Sequence, residues 1–146
     1  MNIPNIFKVL YIGVFSGILL GLVLKLIESL THVRVYTLLL NVDFIPFIGS
    51  IMWGETLEFI FHVLISICTA FIFVYLAHQF HIGDSNPKLF LLSFIICLPT
   101  FPLYFLLSSL AIKEVPVWND WSALSYWVLA HLIYVCILPI LYKKVY

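Results

Sequence analysis

Four stretches of this chain are each long and apolar enough to cross a lipid bilayer, and nothing else in it constrains the fold as strongly. A hydrocarbon core about 30 Å thick takes roughly 20 residues of helix at about 1.5 Å per residue. Residues 7–30, 55–77, 89–112 and 121–142 meet that length with few charges. Hydrocarbon offers no partner to a bare backbone N–H or C=O, so a lone apolar span must be a helix. The expected fold is an all-α membrane protein, residues 1–146 forming one domain of four transmembrane helices in a single bundle. The balance of residues agrees: 64% are hydrophobic and 10% charged, against roughly half and a quarter in soluble domains. Seven basic residues offset seven acidic ones, which excludes a basic nucleic-acid binder.

Lys8 and the apolar run after it resemble the start of a signal peptide. The run from 9 to 24 is long, however, and the first alanine is Ala70, so a retained first helix is expected. Cys68, Cys97 and Cys136 stand singly inside apolar runs. They read as small core-filling hydrophobes, not as a disulfide framework.

The connections differ in kind. Residues 78–88 are short and polar, with Gly83 and Asn86-Pro87 as turn signals, and residues 113–120 are short with Pro116. Residues 31–54 are longer and apolar, but Pro46, Gly49 and Gly54 interrupt them. That pattern predicts an interfacial or partly re-entrant segment with Trp53 at the interface; the alternative is a fifth short span. Lys8, the 78–88 loop and Lys143-Lys144 fall at one end of the bundle, Arg34 and Lys113 at the other. The excess of basic residues predicts that both termini are cytoplasmic. Trp118, Trp121 and Trp127 then suit an aromatic belt at the outer surface.

Gly13, Gly17 and Gly21 repeat every four residues on the first span. Such a ridge lets another helix backbone approach closely. The partner is either within the chain, which four spans favour, or a second copy or another membrane protein. On the third span, Pro99 and Pro102 remove two backbone donors and should kink the axis near mid-membrane. Thr100, Ser93 and Cys97 are placed to resatisfy the freed groups, and the kink is either a fixed bend or a functional one, a hinge or the wall of a cavity.

An ionisable side chain at hydrocarbon depth costs about 2.5–3.5 kcal/mol on insertion scales, so it usually faces the bundle and pairs. Lys25 and Glu28 continue the glycine stripe, and Glu55, Glu58, His62, Ser66 and Thr69 form another stripe on the second span. His62 should lie about 6 Å deeper than Glu58, and His131 about 15 Å below Trp121. Lys25, Glu28, Glu58, His62 and His131 therefore share the outer half of the bilayer and can converge as a polar cluster. Each has a plainer alternative. Lys25 can snorkel to the interface, Glu28 and Glu55 can be wet, Glu58–His62 can be a structural bond joining helices, and His131 is either a partner of Glu58 or a satisfied core histidine. A buried Glu–His pair titrates near neutral pH and can relay protons.

His62 and His131 on two helices also fit a bis-histidine haem b site, with Arg34 or Lys25 for the propionates. The acidic stripe beside His62 ranks that arrangement below the polar cluster. The sequence holds no phosphate-binding glycine loop, zinc motif or serine-nucleophile elbow. A non-enzymatic role and no resident cofactor or metal are expected.

Several short elements resemble the YagU-like family of small bacterial inner-membrane proteins. Gly13, Gly17 and Gly21 leading to Lys25 and Glu28 are similar to its glycine-rich first helix. The run His62, Ser66, Ala70, Phe71 and Tyr75 resembles its His-x-x-x-Ser second helix. Phe101-Pro102-Leu103 and Trp118 with Ala130-His131-Leu132 match elements of its third and fourth helices. The Lys-to-Glu spacing is shorter here, and a Pro-Pro-Arg element after the first helix is reduced to Arg34. The resemblance implies a multi-pass protein of the bacterial cell membrane associated with acid resistance, with no established enzyme activity. Acid or envelope stress acting through the Glu–His cluster is the functional expectation; a haem-binding anchor and an assembly partner using the glycine ridge are its rivals.

Overall fold

A computed structural model describes residues 5–43, 45, 47, 49, 51 and 53–146. Every regular element among them is a helix: α1 (Ile6–Thr31), α2 (Val35–Leu39), α3 (Glu55–Gln79), α4 (Asn86–Cys97), α5 (Thr100–Leu110) and α6 (Trp121–Val145). Four helical lengths are long and apolar enough to cross a membrane: α1, α3, α4 with α5, and α6. The protein is thus an all-α, multi-pass, four-span membrane protein. The chain ends meet at one end of the bundle, where Lys8 Nζ lies 4.3 Å from the centre of the Tyr146 ring. The opposite end carries α2 and the 111–120 loop.

Local chemistry sets the boundaries. Asn5 caps α1 by accepting from the Phe7 N–H at 3.0 Å, and His32 closes it in the left-handed region at φ 60°. Asp120 caps α6 through the Ser122 and Ala123 N–H groups, each at 3.0 Å. The third span begins before residue 89, because Pro87 is tolerated in a first turn where no N–H is needed. It also stops short of 112: the Ile112 and Lys113 N–H groups leave the helix for the Asp43 carboxylate, at 3.0 and 2.7 Å. The fourth span runs on to Val145, with Lys143 and Lys144 in its last turn, where cations suit the helix dipole.

Among the described residues of 32–54 the helix is the five-residue α2, too short to span. Glu28 holds α2 in place, one carboxylate oxygen accepting from the Tyr36 and Thr37 N–H groups at 2.7 and 2.9 Å. Pro46 lies outside the described residues.

Helix α1 is the hub, packing mainly on α3 and α6, while α6 also holds α4. The glycine ridge is the α1–α3 contact. A Cβ at Gly13 would sit 2.5 Å from Ile67 Cα and one at Gly17 2.7 Å from Ser66 Cβ; at Gly21 it would strike the Phe59 ring. Ser66 ties the seam, donating to the Gly13 carbonyl at 2.7 Å. Its hydrogen being spent there, the Tyr134 hydroxyl donates to Ser66 Oγ at 2.9 Å and joins α6 to the pair.

The third span is bent where expected. Helix α4 ends at Cys97 and α5 starts at Thr100, with Leu98 and Pro99 between them. Thr100 Oγ1 donates to the Cys97 carbonyl at 2.6 Å. Ser93 acts across helices: it donates at 2.8 Å to the Val135 carbonyl, the group that Pro139 leaves without its helical donor. Beyond the bend α5 leans on α6, and α3 and α5 barely touch.

Candidate functional site

The gap between α3 and α5 is a chamber of about 220 Å³. Glu58, His62, Ser66 and Thr69 line it from α3, Thr100 from α5, and Trp127, His131 and Tyr134 from α6. Asn41, just past α2, reaches it from the side. These residues arrive together for separate reasons. The glycine seam presses α3 on α1 and fixes the rotation of its histidine stripe. The proline bend swings α5 away and leaves the space. Trp127 Nε1 donates to the Thr100 carbonyl at 2.8 Å and props the wall. Trp127 is buried to 1% exposure, which corrects its expected place in an outer belt; Trp118 and Trp121 are exposed. The correction follows from depth, since Trp127 lies about 9 Å below Trp121 on the face toward α5.

The two histidines share a pattern. His62 Nε2 donates to the Gly17 carbonyl at 3.0 Å, and His131 Nδ1 donates to the Trp127 carbonyl at 2.8 Å. A carbonyl only accepts, so each bond fixes one ring nitrogen as the N–H. The other nitrogen, Nδ1 of His62 and Nε2 of His131, then carries a lone pair in the neutral ring. Both residues are buried and both line the chamber. Asn41 adds a donor: its Nδ2 is buried without a hydrogen-bond partner.

A second cavity of about 420 Å³ lies at the α2 end, lined by Lys25, Glu28, Tyr36, Thr37, Glu55 and their neighbours. Glu58 and Leu40 line both cavities and so form the partition between them. Glu58 is buried and forms an ion pair with Lys113, which reaches over from the 111–120 loop. Asp43, by holding the Lys113 N–H, places that lysine.

The expected cluster is therefore divided. Glu58, His62 and His131 share the chamber, and Lys25 and Glu28 belong to the vestibule beyond Glu58. Lys25 pairs with Glu55 at 2.6 Å, both side chains more than half exposed. Glu28 serves as the cap of α2 described above. Tyr36 donates to Glu55 Oε1 at 3.0 Å, and burial together with that carboxylate pushes its phenol well above the usual tyrosine range. Glu58 does not act as the partner of His62 or His131: its charge is met by Lys113, and the histidines bond to carbonyls. Lys113, Asn41, Tyr134 and Asp43 were not singled out as site residues from sequence. Tyr134 alone had a usable signal, lying three residues beyond His131 on the same face of α6.

Among the described residues no three His, Cys, Asp or Glu side chains gather as a metal site. The three cysteines are free thiols. Comparison with protein-family models, characterised proteins and solved structures gives no match to this chain.

Proposed function

We propose that this protein is a non-enzymatic bacterial inner-membrane protein that responds to acid or envelope stress by taking up protons in the chamber. The observation that carries the reading is the pair of imidazoles, each pinned by one carbonyl and each keeping one lone pair beside a shared cavity. A proton arriving there converts a ring into a double donor and adds a charge to a poorly solvated space. The Tyr134, Thr100 and Cys97 side chains face the same space, and the Glu58–Lys113 pair closes its vestibule side. Protonation strains that partition and favours a rearranged packing of α5 and the 111–120 loop. The cytoplasmic placement of both termini puts the vestibule on the outer face, where pH falls first. The resemblance to the YagU-like family supports the association with acid resistance.

Haem ligation is less well supported, because His62 Nε2 is engaged by Gly17; a Soret band in purified protein would reinstate it. The deciding experiment is survival in acid of cells carrying His62→Ala or Glu58→Gln at normal protein levels. Survival should fall about tenfold or more for both. Survival equal to wild type for both removes the proposal.

A further inference from the structure

We infer that the chamber binds a neutral, lipid-soluble molecule whose head carries a hydroxyl group. The inference rests on the chamber being the functional centre, and it names what enters it.

The way in is from the bilayer. Ile65 on α3 is 66% exposed and Leu103 on α5 is 38% exposed, and both line the chamber. With α3 and α5 barely touching, these residues frame a sideways portal at hydrocarbon depth. The vestibule side is closed by Glu58 with its lysine. A molecule dissolved in lipid reaches the chamber; a hydrated one meets an ion pair first.

The lining sets the chemistry of the head. Asn41 is 3% exposed and its Nδ2 donor is unpaired, which is costly at such a site unless an acceptor arrives. The imidazole nitrogens not bonded to carbonyls can accept from a donor. A hydroxyl is both at once, giving its hydrogen to a histidine and accepting from Asn41. Charge is excluded from either direction. Among the described residues that line the chamber none is cationic, so an anionic head has no counter-charge, and Glu58 is already neutralised by Lys113.

Size and shape set the rest. A chamber of about 220 Å³ has room for a small hydroxylated head such as a substituted phenol. An apolar tail leaves between Ile65 and Leu103 into lipid.

The test uses the full chain in lipid nanodiscs titrated with para-octylphenol, read by tryptophan fluorescence and by equilibrium dialysis against empty discs. Para-octylanisole, which lacks the hydroxyl hydrogen, and octanoate are the comparison probes. The phenol should saturate at one per chain and bind about tenfold more tightly than the anisole, the worth of one hydrogen bond. Octanoate should not displace it. Asn41→Leu should weaken the phenol about tenfold. Ile65→Trp, at a lipid-facing position where folding is little affected, should block entry. Equal binding of phenol and anisole, uptake no greater than in empty discs, or displacement by octanoate overturns the inference. The acid-survival assay separates the two proposals: dependence on His62 without phenol binding leaves the proton role and removes this site. Phenol binding without any effect of His62→Ala or Glu58→Gln on survival does the reverse.

Discussion

On one side α3 lies against α1 with glycines at the contact; on the other it stands away from α5 and leaves a chamber. The two sides belong to one helix in one solvent, so the difference comes from the neighbours. In a bilayer, burying apolar side chains gives helices little reason to meet, because lipid is as apolar as they are. Packing contact and hydrogen bonds must hold them. The glycine stripe of α1 brings backbones together, and the Ser66 hydrogen bonds then fall at 2.7 and 2.9 Å. Facing α5 there is no small-residue stripe, and Pro99 and Pro102 break the helix that would otherwise lie alongside. Close packing and full hydrogen bonding go together on the first side, an open space and an unpaired amide on the second. The seam holds α3 rigid so that the chamber can keep its shape.

The strongest way to break this comparison is to place the same kind of bulk on both sides. Gly17→Leu drives a side chain into Ser66 and the backbone of α3. It should cost more than about 3 kcal/mol and remove most folded protein. Leu107→Phe adds volume on the chamber wall, where space exists, and should change stability by less than about 1 kcal/mol. Thermal unfolding midpoints in one detergent measure both. Similar losses from the two substitutions would mean that the chamber is as tightly packed as the seam.

A smaller effect is expected at the partition. Lys113→Met leaves the Glu58 carboxylate buried without its counter-charge. Removing one partner of a fully buried pair costs about 3–5 kcal/mol, but the Lys113 side chain is 39% exposed, so about 1–2 kcal/mol is the expected loss. Glu58→Gln in the same chain should recover most of it, since the orphaned charge is then gone. Full additivity of the two substitutions would show that Lys113 and Glu58 do not interact, and the partition would have to be drawn elsewhere.

The four spans were legible because each is a long apolar run that lipid allows only one structure. The seam was legible too, since glycines at every fourth residue specify a close approach, and so was the bend at Pro99. The chamber was legible only in part. Helical spacing placed His62 and His131 at compatible depths, but depth along a helix does not say which residues meet across it. Trp127 shows this: its position near the chain's other tryptophans suggested a belt, and only the bend of α5 makes room for it inside. Lys113 and Asn41 were illegible for a different reason. Both come from connections whose path is set by Asp43 holding the 112–113 backbone, a contact about seventy residues distant in sequence that no periodicity encodes.

The least effect is expected where the glycine stripe runs out. Lys25 is the next residue on the line of Gly13, Gly17 and Gly21, and it bridges to Glu55 at the start of α3. By position it is the last rung of the seam; by chemistry it differs, being charged and more than half exposed. An exposed pair contributes about 0–1 kcal/mol, screened by salt. Lys25→Ala also leaves Glu55 with the Tyr36 hydroxyl, which stays protonated because its phenol is held above the ordinary range. That raised value makes the Tyr36 contribution complete below the unfolded tyrosine value near 10 and lost only as pH climbs through the higher folded value. The unfolding midpoint of Lys25→Ala should therefore match wild type within about 0.5 kcal/mol at neutral pH, in low and high salt alike. A loss as large as that of Lys113→Met would place the strength of the α1–α3 contact in its charges. A loss within the expected range leaves it in the glycines, where the backbones touch.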